Sequence, residues 1–126
     1  MPTILVVDDS SFSRKSILAA LETEDYELLE AGDGRQALEI ALTRRPDCIT
    51  LDLLMPTING RDVMRELNQR GLDIPVIVIS SDIQDSTRQS CIELGARAFL
   101  NKPLQPAQLK HAIRALIEIE REANVD

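Results

Sequence analysis

The chain has 126 residues, enough for one core, with 44% hydrophobic and 28% charged residues, which is globular rather than disordered composition. Its net charge is −7 and its pI about 4.7. With no basic cluster and only three aromatics (Phe12, Tyr26 and Phe99), this excludes a surface built to bind nucleic acid directly. Short apolar runs then alternate with helix-period segments from end to end. Strands are predicted at Thr3–Val7, Tyr26–Glu30, Cys48–Leu51, Val76–Ser80 and Arg97–Leu100. Several are unbroken Val/Ile/Leu runs, as expected of strands buried on both faces of a parallel sheet. Between them, the second helix starts after Asp33 and cannot pass Pro46. The third starts near Asn59 and stops at Gly71, and the fourth stops at Gly95. The last helix carries Leu109, Ala112, Ile113, Leu116 and Ile117 at the spacing of one apolar face. Five successive strand–helix units imply right-handed crossovers and an α/β, doubly wound, five-stranded parallel sheet with five flanking helices.

No apolar stretch approaches the ~20 residues needed to cross a bilayer, and no basic leader with an apolar segment opens the chain. A cytoplasmic location without membrane insertion is the expectation. Cys48 and Cys91 read as small buried hydrophobes, because neither CxxC nor Cys/His ligand spacing occurs. The charged stretch from Glu118 to Asp126 reads as a hydrated helix end. No linker or repeat interrupts the chain, so residues 1–126 are expected to be a single domain without an attached output domain.

The chemistry lies at the strand ends. Asp8-Asp9 closes the first apolar run, Asp52 the third, Ser80-Ser81 the fourth and Lys102-Pro103 the fifth. In a doubly wound sheet, sites form outside the carboxyl ends of the strands, so these residues share one rim. Two like charges about 4 Å apart repel by about 4 kcal/mol at an effective dielectric near 20. Three converging carboxylates therefore call for a divalent cation and an ammonium, and such a site suits a phosphoryl group. Taken singly, an Asp pair is an ordinary strand end or helix cap, Lys102 an ordinary surface lysine and Ser80 a turn residue. His111, the lone histidine, lies on the last helix and reads as a solvated or boundary residue.

The four landmarks in this order, with Leu-Leu-Met-Pro after Asp52 and Gly60 in the following turn, resemble a response-regulator receiver domain. The closest resemblance is to the stand-alone, chemotaxis-type regulators of two-component signalling, and it covers roughly Thr3 to Ile117. It implies a flavodoxin-like fold with strand order 2-1-3-4-5. It also implies that Asp52 accepts a phosphoryl group from a phosphohistidine. Asp9 would bind Mg²⁺ directly and Asp8 mostly through water, with Asp52 and the Leu54 backbone carbonyl supplying further oxygens. Lys102 would neutralise a phosphoryl oxygen, and Ser80 would donate its hydroxyl to the phosphoryl group, with Ser81 leaving open which hydroxyl acts. The Lys102–Pro103 bond would be cis. Phe99 stands three residues before Lys102, where the family carries its switch residue, with plain core packing as the alternative reading. The implied partners are a histidine kinase or histidine phosphotransfer protein and an unidentified downstream effector protein. The chain would catalyse only its own phosphorylation and slow dephosphorylation.

Three rival functions fit the residues less well. An aspartyl phosphohydrolase needs a second acid two residues after the nucleophile, where this chain has Leu54 after Asp52 and Ser10 after Asp8. A flavodoxin-like electron carrier needs a Ser/Thr/Gly-rich phosphate loop, which Asp8-Asp9 would repel. A phosphorylation-independent interaction scaffold would have no need of the complete acid set.

Overall fold

The computed structural model describes residues 1–123, with side-chain environments through residue 119. The chain alternates β1 (Thr3–Val7), α1 (Ser11–Leu21), β2 (Glu27–Ala31), α2 (Gly34–Arg44), β3 (Cys48–Asp52), α3 (Gly60–Gln69), β4 (Val76–Ser80), α4 (Asp85–Glu93), β5 (Ala98–Asn101) and α5 (Pro106–Ala123). All four strand pairings are parallel, and the order is β2-β1-β3-β4-β5. This is the doubly wound, flavodoxin-like α/β fold expected from the sequence. Of the charged stretch ending at Asp126, residues 124–126 lie outside the described residues.

Burial follows strand order. All five residues of β3 and of β4 are buried, whereas the edge strands β2 and β5 are largely half-buried. Alternation along the strands then sorts the core into two halves. Leu5, Val7, Ile49, Leu51 and Val78 face a cluster with α2, α3 and α4, through Ala37, Val63, Met64 and Cys91. Ile4, Val6, Ile77 and Ile79 face the other cluster, with Ile17 and Leu21 of α1 and Leu109 and Ile113 of α5. Both cysteines are free and buried, and burial pushes the Cys48 thiol up to about 12.

The helix ends obey their local chemistry. Ser10 and Asp33 accept the backbone N–H of Ser13 and Gln36, and Asn59 with Asp62 forms a reciprocal capping box. Gly71 and Gly95, at φ +68° and +101°, take the left-handed conformation that follows the ends of α3 and α4.

Two strands are displaced by one residue from their apolar runs. β2 begins at Glu27, not Tyr26, because its register is set by β1, with Thr3 opposite Glu27 and Val7 opposite Ala31. β5 runs from Ala98 to Asn101, not Arg97 to Leu100, because Asn101 pairs with Ser80. Pairing, rather than local hydrophobicity, sets both boundaries.

Candidate functional site

The ends of β1 and β3 are adjacent, so the chain's first carboxylates meet its third. Side-chain oxygens of Asp8, Asp9 and Asp52 all lie within 4.8 Å of one another. Asp8 is fully buried and Asp52 is 7% exposed, while Asp9 opens to solvent. Lys102 arrives from the loop after β5, its Nζ 3.3 Å from Asp8 Oδ2 and 3.7 Å from Asp52 Oδ2. The Lys102–Pro103 peptide bond is cis. One ammonium thus pairs with two of the three carboxylates, leaving the cluster short of positive charge. Burial pushes the Asp52 carboxyl above the usual carboxylate range; Lys102 pulls it back and Asp8 pushes it further up.

Backbone groups complete the setting. Asp8 Oδ1 accepts the N–H of Ser10 at 3.0 Å, and Asp52 Oδ1 accepts the N–H of Leu54 at 3.3 Å. The Leu54 side chain itself is exposed. Gly60 packs directly beneath the Asp52 peptide: a Cβ there would stand 2.6 Å from the Asp52 carbonyl oxygen and 2.9 Å from Leu53 Cα. The glycine in the expected Met55-Pro56…Gly60 turn therefore has a steric reason, since any side chain would push the end of β3 outward.

The donor set fits magnesium. Carboxylate oxygens on a half-open rim, with one acid exposed, suit a hard cation that keeps several waters. All three acids and the lysine predicted for the site converge. Ser80 is fully buried at the end of the neighbouring strand, where Ile79 lies opposite Asp52, and its carbonyl accepts the Lys102 N–H. Its hydroxyl accepts the N–H of Asp82 at 3.1 Å, while Ser81 is exposed. Phe99 is half-buried against the α4-side cluster and opposite Val78. His111 is exposed on α5.

Asp82 has a job of its own. Its carboxylate accepts the Thr87 hydroxyl at 2.7 Å and the Gln84 N–H at 3.0 Å, which together hold its carboxyl below the usual range. It ties down the start of α4, a role that nothing in the local sequence marks. Arg14 was also missed: it donates to the Asp8 carbonyl at 2.6 Å and to Glu30 at 3.0 Å. The available signal was only a basic residue one turn into α1 and an acid near the end of β2.

Comparison with known proteins agrees with this geometry. The family model for "Response regulator receiver domain" matches residues 4–114. The chain is 37% identical over 114 residues to the response regulator MprA of Mycolicibacterium vanbaalenii, covering 90% of this chain and 49% of that protein. It is 35% identical over 117 residues to the phosphate regulon transcriptional regulatory protein PhoB of Pseudomonas aeruginosa, covering 91% and 51%. Among solved structures, the signal receiver domain of a LuxO repressor protein from Vibrio parahaemolyticus superposes with TM-score 0.92 at 26% identity, over 99% and 98% of the two chains. The chemotaxis protein CheY4 of Vibrio cholerae gives TM-score 0.85 at 28% identity, over 92% and 98%. The chain spans about half the length of the curated relatives it matches. That partial span supports the receiver family but not the narrower stand-alone chemotaxis type expected from the sequence. With its profile, relatives, fold and acid cluster in agreement, the chain belongs to the response regulator receiver domain family.

Proposed function

We propose that this domain is the phospho-acceptor switch of a two-component system, with Asp52 as its acceptor. The carrying observation is the convergence of three carboxylates beside one ammonium, Lys102 lying within 3.7 Å of the two buried acids. Asp52 attacks phosphorus in line: an Oδ–P bond forms, the P–N bond of a phosphohistidine breaks, and the electron pair returns to the imidazole nitrogen. Lys102 is a mobile point charge that can leave Asp8 and Asp52 to meet a phosphoryl oxygen. The Leu54 N–H, already donating to Asp52, helps to hold the carboxylate in place.

Asp8, Asp9, Asp52 and the Leu54 carbonyl would hold a magnesium ion. When bound, it supplies the positive charge that phosphoryl oxygens need at so acidic a rim. The chain acts only on itself, accepting the group and slowly releasing it, and turns over no external metabolite.

Ser80 carries the signal outward. Its hydroxyl turns from the Asp82 N–H toward the new phosphoryl oxygens, freeing the loop that leads into α4. Phe99 can then repack toward the space Ser80 leaves, so that α4, β5 and α5 present a changed face. The donor is a histidine kinase or histidine phosphotransfer protein, and the receiver of the signal is an effector protein or a further domain. Residues 1–126 make no direct nucleic-acid contact in this reading, given their net charge of −7. Among the described residues no helix is long and apolar enough to cross a membrane, and the domain acts in the cytoplasm, where its phosphodonors are found.

Incubation with acetyl phosphate tests the assignment. Wild type should form a magnesium-dependent, hydroxylamine-sensitive adduct, and Asp52→Asn should form none. An adduct of equal yield in the variant would refute the proposal.

A further inference from the structure

The Asp8–Asp9 peptide is held by groups that are not members of the acid cluster. Asp8 N–H donates to the Ala31 carbonyl at 3.2 Å, which fixes one side of the residue to β2. On its other side, Arg14 Nη1 donates to the Asp8 carbonyl at 2.6 Å. The same guanidinium is anchored through Nε, 3.0 Å from Glu30 Oε1. Its side chain is only 20% exposed, although it belongs to a surface helix.

The Asp8 carbonyl and the Asp9 N–H belong to one rigid peptide plane. Fixing that carbonyl therefore fixes the direction in which the Asp9 backbone leaves. Asp9 is the exposed member of the acid set, and no hydrogen bond or ion pair of its own side chain is observed among the described residues. Its carboxylate is aimed by the backbone alone. A guanidinium also stays charged at every accessible pH, so it keeps a permanent positive charge behind two acids.

We infer that Arg14 is a positioning residue: anchored by Glu30, it sets the Asp8–Asp9 peptide so that both carboxylates address one cation. The inference rests on the magnesium-dependent reading above and deepens it. Groups that orient ligands from behind typically account for about 10–100-fold in metal affinity. Arg14→Ala should weaken Mg²⁺ binding by about tenfold or more. Arg14→Lys, which can keep one of the two contacts but not the planar fork, should fall between wild type and alanine.

The experiment is a calorimetric Mg²⁺ titration of wild type, Arg14→Ala, Arg14→Lys and Glu30→Ala, with urea unfolding of each in EDTA. Initial rates with acetyl phosphate are followed across Mg²⁺ concentration in parallel. Glu30 lies on the surface, so Glu30→Ala tests the clamp even if Arg14→Ala does not fold. The expected result is a raised half-saturating Mg²⁺ concentration with the rate recovered at saturating Mg²⁺, which a merely structural defect would not produce. Unchanged Mg²⁺ affinity in folded Arg14→Ala, or in Glu30→Ala should Arg14→Ala not fold, overturns the inference while leaving Asp52 chemistry intact. If instead wild type binds no Mg²⁺, or Asp9→Asn binds it as well as wild type does, the magnesium reading itself fails and the clamp falls with it.

Discussion

Two helices flank β5, and they are held in opposite ways. α5 lays Leu109, Ile113, Leu116 and Ile117 into the core, all buried, along one continuous apolar stripe. α4 buries only Thr87 and Cys91, and its N-cap residue Gln84 makes no side-chain capping bond. Polar contacts do the rest. Thr87 donates to Asp82, Ser90 donates to the Thr87 carbonyl, and Arg61 of α3 reaches Ser90 at 3.0 Å. Asp82 in turn donates its N–H to the hydroxyl of Ser80, at the end of the strand beside β3. Apolar burial is non-directional and does not respond to a distant charge, whereas a chain of hydrogen bonds can be rearranged one partner at a time. On the proposed reading, α4 is the element that answers Asp52 and α5 the frame it moves against.

Truncating the frame should have the largest effect. Ile113→Ala empties a fully buried site and should cost about 2–5 kcal/mol in urea unfolding, lowering the stability of the whole domain. The comparison breaks if that variant loses protection only within α5. Thr87→Val is smaller and local. Removing the hydroxyl that Asp82 accepts should speed amide exchange roughly tenfold in the first turns of α4, with α5 unchanged. Uniform acceleration across both helices would mean that α4 is not separately held.

The acid cluster at the ends of β1 and β3 predicts a pH dependence. The Asp52 carboxyl is raised above its ordinary value of 3.8, chiefly by burial. Below that value both folded and unfolded chains hold the proton, and nothing is lost. As pH climbs toward the raised value, the folded protein keeps a proton that the unfolded chain has released, so stability falls. In EDTA at pH 7, Asp52→Asn should therefore melt above wild type, and the gap should close on acidification. A variant less stable than wild type at neutral pH would reverse the sign.

The smallest effect comes from the α5 side of β3. The hydroxyl of Thr50 is buried with no hydrogen-bond partner among the described residues. Thr50→Val keeps the side-chain volume and should gain about 1 kcal/mol. A loss of that size instead would show that the hydroxyl is satisfied in solution.

Much of this was legible in the sequence, for a physical reason. β1 and β4 are short apolar runs ended by polar residues, a local signal, and their bounds match residue for residue. Placing Asp8, Asp9, Asp52 and Lys102 on one rim required only the topology, because parallel strands all end on the same side. What stayed hidden depends on register and tertiary reach. The one-residue offset of β2 comes from pairing with β1, and the Arg14 clamp joins three elements through a backbone carbonyl that no side-chain pattern marks. Asp82 lies only two residues from Ser80, yet that short spacing does not reveal its partner. Its capture by Thr87 is a property of the α4 turn.

The most direct test of the central claim is chemical mapping of the acceptor. Protein treated with acetyl phosphate and Mg²⁺ is reduced with borohydride, which converts an aspartyl phosphate to homoserine, and is then sequenced by mass spectrometry. The account predicts homoserine at position 52 alone. Homoserine at position 8 or 9, or a stable phosphate on Ser80 or Ser81 with position 52 unmodified, would contradict it.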